Sequence, residues 1–82
     1  MPHLNWSHAL PRPLVIPSVM MLRTLADVRE LMRHLPKDRR ARSTWRHVAA
    51  ELENAAAGAD AVDVAVALRL ALMLESVECR VR

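Results

Sequence analysis

AVDVAVALRLALMLESV, residues 61–77, is the most apolar run in the chain, and everything else must be arranged around it. Val62, Val64, Val66, Leu68, Leu70, Leu72 and Leu74 alternate with their neighbours, which is the period of a strand. The filling residues are Ala, Leu, Met and Arg, all strong helix formers. The run is also longer than an ordinary strand and contains no breaker. Propensity and length together predict a helix. At about 100° per residue the branched side chains spread almost all the way round it, and a helix that is apolar on every side is a buried one. Two covering helices or a second copy of the chain would have to supply that burial. A membrane span is excluded, because about 20 apolar residues are needed and Arg69 sits at the centre.

The 82 residues fit one domain. A chain this short buries only about 60% of its unfolded surface, so its stability is marginal. Its one cysteine, Cys79, provides no internal disulfide and fits a reducing cytosol. No export signal is read at the start, where prolines interrupt the apolar residues. A small core without a staple makes self-association a natural remedy. Phe and Tyr are absent and Trp6 and Trp45 are the only aromatic rings, too few for the stacking platforms of a single-strand binder. The net charge of +3 conceals an asymmetry: residues 23–47 carry +5 and residues 48–82 carry −3. Such a polar distribution steers partners or orders self-association.

Residues 1–22 read as a proline-rich arm, because Pro2, Pro11, Pro13 and Pro17 rule out a useful helix. Two readings stay open: a loose tail, or a strap whose Leu14 and Ile16 pack on the helices or on a neighbouring subunit, as polyproline or an edge strand. Residues 23–82 form the helical domain. The first helix spans 24–35, with Thr24 as N-cap, Asp27 placed for a capping box, and Leu25, Val28, Leu31, Met32 and Leu35 on one face. Pro36 ends it. A basic connection, PKDRRARS, follows, in which Asp38 offers an alternative early helix start. The second helix spans 44–57, capped by Ser43 or Thr44, with Trp45, Val48, Ala49, Leu52 and Ala56 as its stripe. Gly58 stands where a left-handed C-cap is wanted. Asp60 caps the third helix, 60–76, and Asp63 in its first turn suits the helix dipole. The tail beyond Ser76 alternates Val77, Cys79 and Val81 with charged residues and reads as frayed helix or as a short strand against Leu14–Ile16.

Five cations, Lys37, Arg39, Arg40, Arg42 and Arg46, are the candidate contacts for nucleic acid or an acidic partner; phosphate contacts of this kind give salt-dependent affinity. The competing reading is a solvated connection between helices. The turn at 57–60 has helix-turn-helix spacing, but a recognition helix must show polar groups to base edges, and the third helix offers leucines. His3, His8, His34 and His47 lack a partner set at metal-ligand spacing, so no metal is expected. Cys79 reads as a small apolar residue; Arg80 and Arg82 favour its thiolate and Glu78 opposes it. Glu51 and Glu53 cannot share a helix face, and a single glycine leaves no phosphate loop. Trp45 is expected in the core, joining two helices.

The stretches TLADVRELMRHLP, TWRHVAAELENAAAGAD and ALRLALMLESVECR resemble small bacterial proteins of about this length that carry no assigned function. The resemblance covers residues 20–82, implies a compact helical fold, and transfers no functional residue. The sequence therefore predicts an all-α domain of three helices behind an extended arm and ahead of a short C-terminal tail. Val64, Leu68, Leu72 and Met73 are its candidate core or self-association surface. The expected activity is non-enzymatic and needs no catalytic residue or cofactor. It is a cytoplasmic protein-interaction or regulatory module, with an unidentified protein partner or a homodimer through the third helix. The alternative is a small basic nucleic-acid binder using residues 37–47.

Overall fold

A computed structural model describes residues 4–17 and 20–76, and the backbone of 80–81. It overturns the all-α expectation. The element order is β1 (Ala9–Ile16), β2 (Met20–Thr24), α1 (Leu25–Arg33), α2 (Lys37–Arg40), α3 (Ser43–Ala56), α4 (Ala61–Leu74) and β3 (Arg80–Val81). The strands form one antiparallel sheet in the order β2-β1-β3.

The proline-rich stretch is the strand at the centre of that sheet. Leu14, Val15 and Ile16 pair with Leu22, Met21 and Met20, whereas the next pair is Ala9 with Thr24, so the register slips between Ala9 and Leu14. Pro11 and Pro13 fall inside that slip. A proline has no N–H to give to a ladder, and it is tolerated where the ladder is already broken by a bulge. Beyond the slip the ordinary strand period returns: Leu14 and Ile16 are buried and Val15 only partly so. On the other side of β1, Leu14 pairs with Val81 and Val15 with Arg80. The strand reading of the tail is thus the one adopted for Arg80–Val81; residues 77–79 lie outside the described residues.

The segment before β1 is a strap. The Asn5 N–H donates to the Ala56 carbonyl at 2.7 Å, Leu25 N–H to the His8 carbonyl at 3.0 Å, and Ala26 N–H to the Trp6 carbonyl at 2.9 Å. Helix ends leave backbone groups without partners inside the helix. Residues 5–8 satisfy two such donors at the start of α1 and one acceptor at the end of α3. The Asp27 carboxylate accepts from the Arg23 and Thr24 N–H groups at 2.8 and 3.1 Å, fixing the strand-to-helix turn from the other side.

The basic connection contains a four-residue helix, α2. Helix α3 starts with Arg42 as N-cap, not with Ser43 or Thr44, and no side chain caps it. Gly58 takes a φ of 121° past the end of α3, as a helix terminator should. Asp60 caps α4 as expected, its carboxylate accepting from the Val62 N–H at 2.9 Å. One core holds the fold together: Leu10, Leu14, Ile16 and Leu22 from the sheet, Leu25 and Val28 from α1, Trp45, Val48 and Leu52 from α3, and Val64, Leu68 and Leu72 from α4. Fully burying one such aliphatic side chain contributes about 1.5–3 kcal/mol. Among the described residues no helix is long and apolar enough to cross a membrane.

Candidate functional site

Helix α4 carries two apolar faces, and only one of them is covered. Val64, Leu68, Ala71 and Leu72 are buried, facing α3 and β1. On a helix turning about 100° per residue, Val62, Val66, Leu70 and Met73 fall about half a turn away. They are exposed, as is Leu74 at the border of that stripe, with 46% to 70% of their surface in water. The expectation that α4 is buried on every side is therefore corrected. The sheet covers what a third helix would otherwise have covered, and none of the described residues lies over the outer stripe. Of the four residues singled out from sequence, Val64, Leu68 and Leu72 are core, and Met73 alone belongs to the exposed stripe. Val62, Val66, Leu70 and Leu74 were overlooked as a surface. Their shared i, i+4 spacing is the signal that marks them once 64, 68 and 72 are assigned inward.

The stripe is continuous with a cleft between α4 and β1 of about 200 Å³, floored by Leu10, Leu14 and Leu68 and walled by Val62 and Val66. Arg12 of β1 and Arg69 of α4 complete its lining. Both are exposed, and neither forms an ion pair or hydrogen bond with any described residue.

The basic cluster is divided. Glu75, at the C-cap of α4, keeps a side chain only 7% exposed. Its Oε1 accepts from Arg42 Nη1 at 3.0 Å and from the Trp45 indole N–H at 3.2 Å, and its Oε2 lies 3.5 Å from Arg39 Nη1. Trp45, 1% exposed, is the core residue it was expected to be. The junction borders a second apolar cavity of about 170 Å³ that includes Ile16, Leu31, Leu35 and Leu72. Arg39 and Arg42 thus serve as internal clamps across 33 to 36 positions of sequence. Lys37, Arg40 and Arg46 remain exposed, with no partner among the described residues.

No family model, curated protein or solved structure matches the chain. The assignment of function rests on these surfaces.

Other polar groups are spoken for or dispersed. His34 Nε2 lies 3.1 Å from Glu30 Oε1, Arg33 lies 3.7 Å from the same carboxylate, and Arg29 stacks over the Trp6 ring at 4.6 Å. Among the described residues no three His, Cys, Asp or Glu side chains converge on a point where a metal ion would sit. His3 and Cys79, weighed above as ligand and thiol, lie outside the described residues.

Proposed function

We propose that the protein is a non-enzymatic interaction module whose docking surface is the outer stripe of α4 with the adjoining α4–β1 cleft. The observation that carries this reading is the row of five large apolar side chains left in water on one helix. Isolated exposed leucines are common on protein surfaces, whereas a contiguous apolar stripe marks a place where another molecule sits. An i, i+4 ridge of this kind packs into the groove of a second helix at a crossing angle of about −50°. Cytosolic residence is part of the proposal and is supported by the single cysteine.

The nucleic-acid reading retains three of its five cations. Arg39 and Arg42 are committed to Glu75, and Lys37, Arg40 and Arg46 are left to meet phosphates. The two readings separate in a capture experiment from the native cell at moderate salt, with and without nuclease. The interaction reading predicts a protein that survives nuclease and disappears with a Leu70→Ser, Met73→Ser double variant. Loss of all bound material on nuclease treatment, or on charge reversal at Lys37, Arg40 and Arg46, would favour nucleic acid instead. Arg39 and Arg42 are unsuitable for that test, because reversing them breaks the Glu75 junction.

A further inference from the structure

We propose that the α4–β1 face takes an amphipathic helix bearing carboxylates, and that Arg12 and Arg69 select it. This rests on the interaction reading and adds the chemistry of the partner. Five of the arginines in the described residues already have a partner: Arg23 at the Met21 sulfur, Arg29 on Trp6, Arg33 at Glu30, and Arg39 and Arg42 at Glu75. Among the described residues Arg12, Arg40, Arg46 and Arg69 have none, and of these Arg12 and Arg69 line the α4–β1 cleft that opens onto the exposed stripe. A guanidinium beside apolar surface presents its planar fork to a carboxylate while its stem covers neighbouring carbon. An apolar ridge with cations beside it is complementary to a helix with leucines along one face and glutamates at its flanks.

Charge also argues against a second copy of this chain as the occupant. In an antiparallel pair centred on the stripe 62–74, the midpoint is residue 68. A twofold axis there sets the two Arg69 residues about 3 Å apart along the helix axis, on the same flank, at 1.5 Å rise per residue. Like charges so placed repel, and each chain brings a further net +3. A parallel pair relieves that contact but sets the two helix dipoles side by side in the same direction, like ends together, which is the unfavourable arrangement.

The test uses the full chain and two synthetic helical peptides of roughly 20 residues. Both have leucine at i, i+3, i+4 and i+7; one has glutamate on the flanks and the other lysine at the same positions. Affinity is read by fluorescence anisotropy at low and high salt, and the mass of the free protein by sedimentation. The expected result is a monomer that binds the glutamate peptide about tenfold more tightly than the lysine peptide, with the gap closing as salt screens the pairs. Arg12→Glu with Arg69→Glu should reverse the preference, and Leu70→Ser with Met73→Ser should weaken both peptides. Equal binding of the two peptides, lost in the Leu70→Ser, Met73→Ser variant, would overturn the charge selection and leave the docking face standing. A dimer that the same serine variant dissociates would overturn the proposal in favour of self-association. No binding of either peptide by a monomer would overturn both the proposal and the docking face beneath it.

Discussion

Replacing Glu75 tests the junction that ties the end of α4 to α2 and α3. In Glu75→Ala the Trp45 indole N–H, 3.2 Å from the carboxylate in the intact protein, loses its acceptor while the ring stays buried. A buried donor left unpaired costs about 1–3 kcal/mol. The ion pairs to Arg39 and Arg42 add little, since those side chains are 47% and 57% exposed and such pairs contribute about 0–1 kcal/mol each. With the unpaired donor near the middle of its range and the exposed ion pairs adding little, the total is about 2 kcal/mol. At about 4–8 °C per kcal/mol for a domain of this size, the melting temperature should fall by roughly 8–16 °C. Glu75→Gln keeps an oxygen for the indole and gives up only the charge, so it should cost about 0.5–1 kcal/mol. Urea unfolding followed by far-ultraviolet circular dichroism measures both, with Trp45 emission in a Trp6→Phe background reporting the ring's surroundings. If alanine and glutamine are equally mild, below about 0.5 kcal/mol, the carboxylate does not hold the indole and the clamp reading is wrong.

Three further outcomes follow from the same structure. Leu68→Ala should lose about 2–5 kcal/mol in urea unfolding, because the side chain is fully buried, whereas Leu70→Ala, half in water two residues away, should stay within about 0.5 kcal/mol; similar values for the two would contradict the inner and outer faces assigned to α4. Gly58→Ala should cost about 1–3 kcal/mol in the same assay through backbone strain alone, since no described residue lies within 4 Å of the added methyl group. Ser76 holds a φ of 58° just past α4, with its N–H on the Met73 carbonyl, so Ser76→Gly should raise the thermal midpoint by the equivalent of about 0.4–1 kcal/mol; a lower midpoint would show that the serine side chain contributes something the backbone does not reveal.

The helices were legible because their signals are local. Asp60, Gly58, Thr24 with Asp27, and the 3-4 spacing through Val48 and Leu52 each act within a turn or two of where they stand. The strands were not legible, because the evidence for β1 lies in its partners. Pro11 and Pro13 argue against a strand until Ala9–Thr24 and Leu14–Leu22 are known to be out of step, and that offset depends on β2. Met20–Thr24 in turn runs straight into the helix it was assumed to precede as plain chain. The strict alternation in residues 62–74 was a fair warning that α4 has two apolar faces. Deciding that one of them stays in water required knowing that the sheet, and not another helix, closes the core. The Glu75 junction is invisible in sequence for the same reason: its donors stand 30 or more positions away, where spacing carries no information.

The central strand has neighbours of very different origin. Its pairing with β2 joins segments only three residues apart in sequence, the kind of hairpin that forms in about 1–10 μs. Its pairing with β3 joins Val15 to Arg80, sixty-five positions apart, and must await the ordering of the helices between them. Alternate amides of one strand therefore report different events under hydrogen exchange. Those turned to β2 should exchange only through opening of the whole core, and those turned to β3 through a cheaper excursion that releases the last strand alone. Within a few residues of β1, the exchange pattern would record the order in which the molecule comes apart.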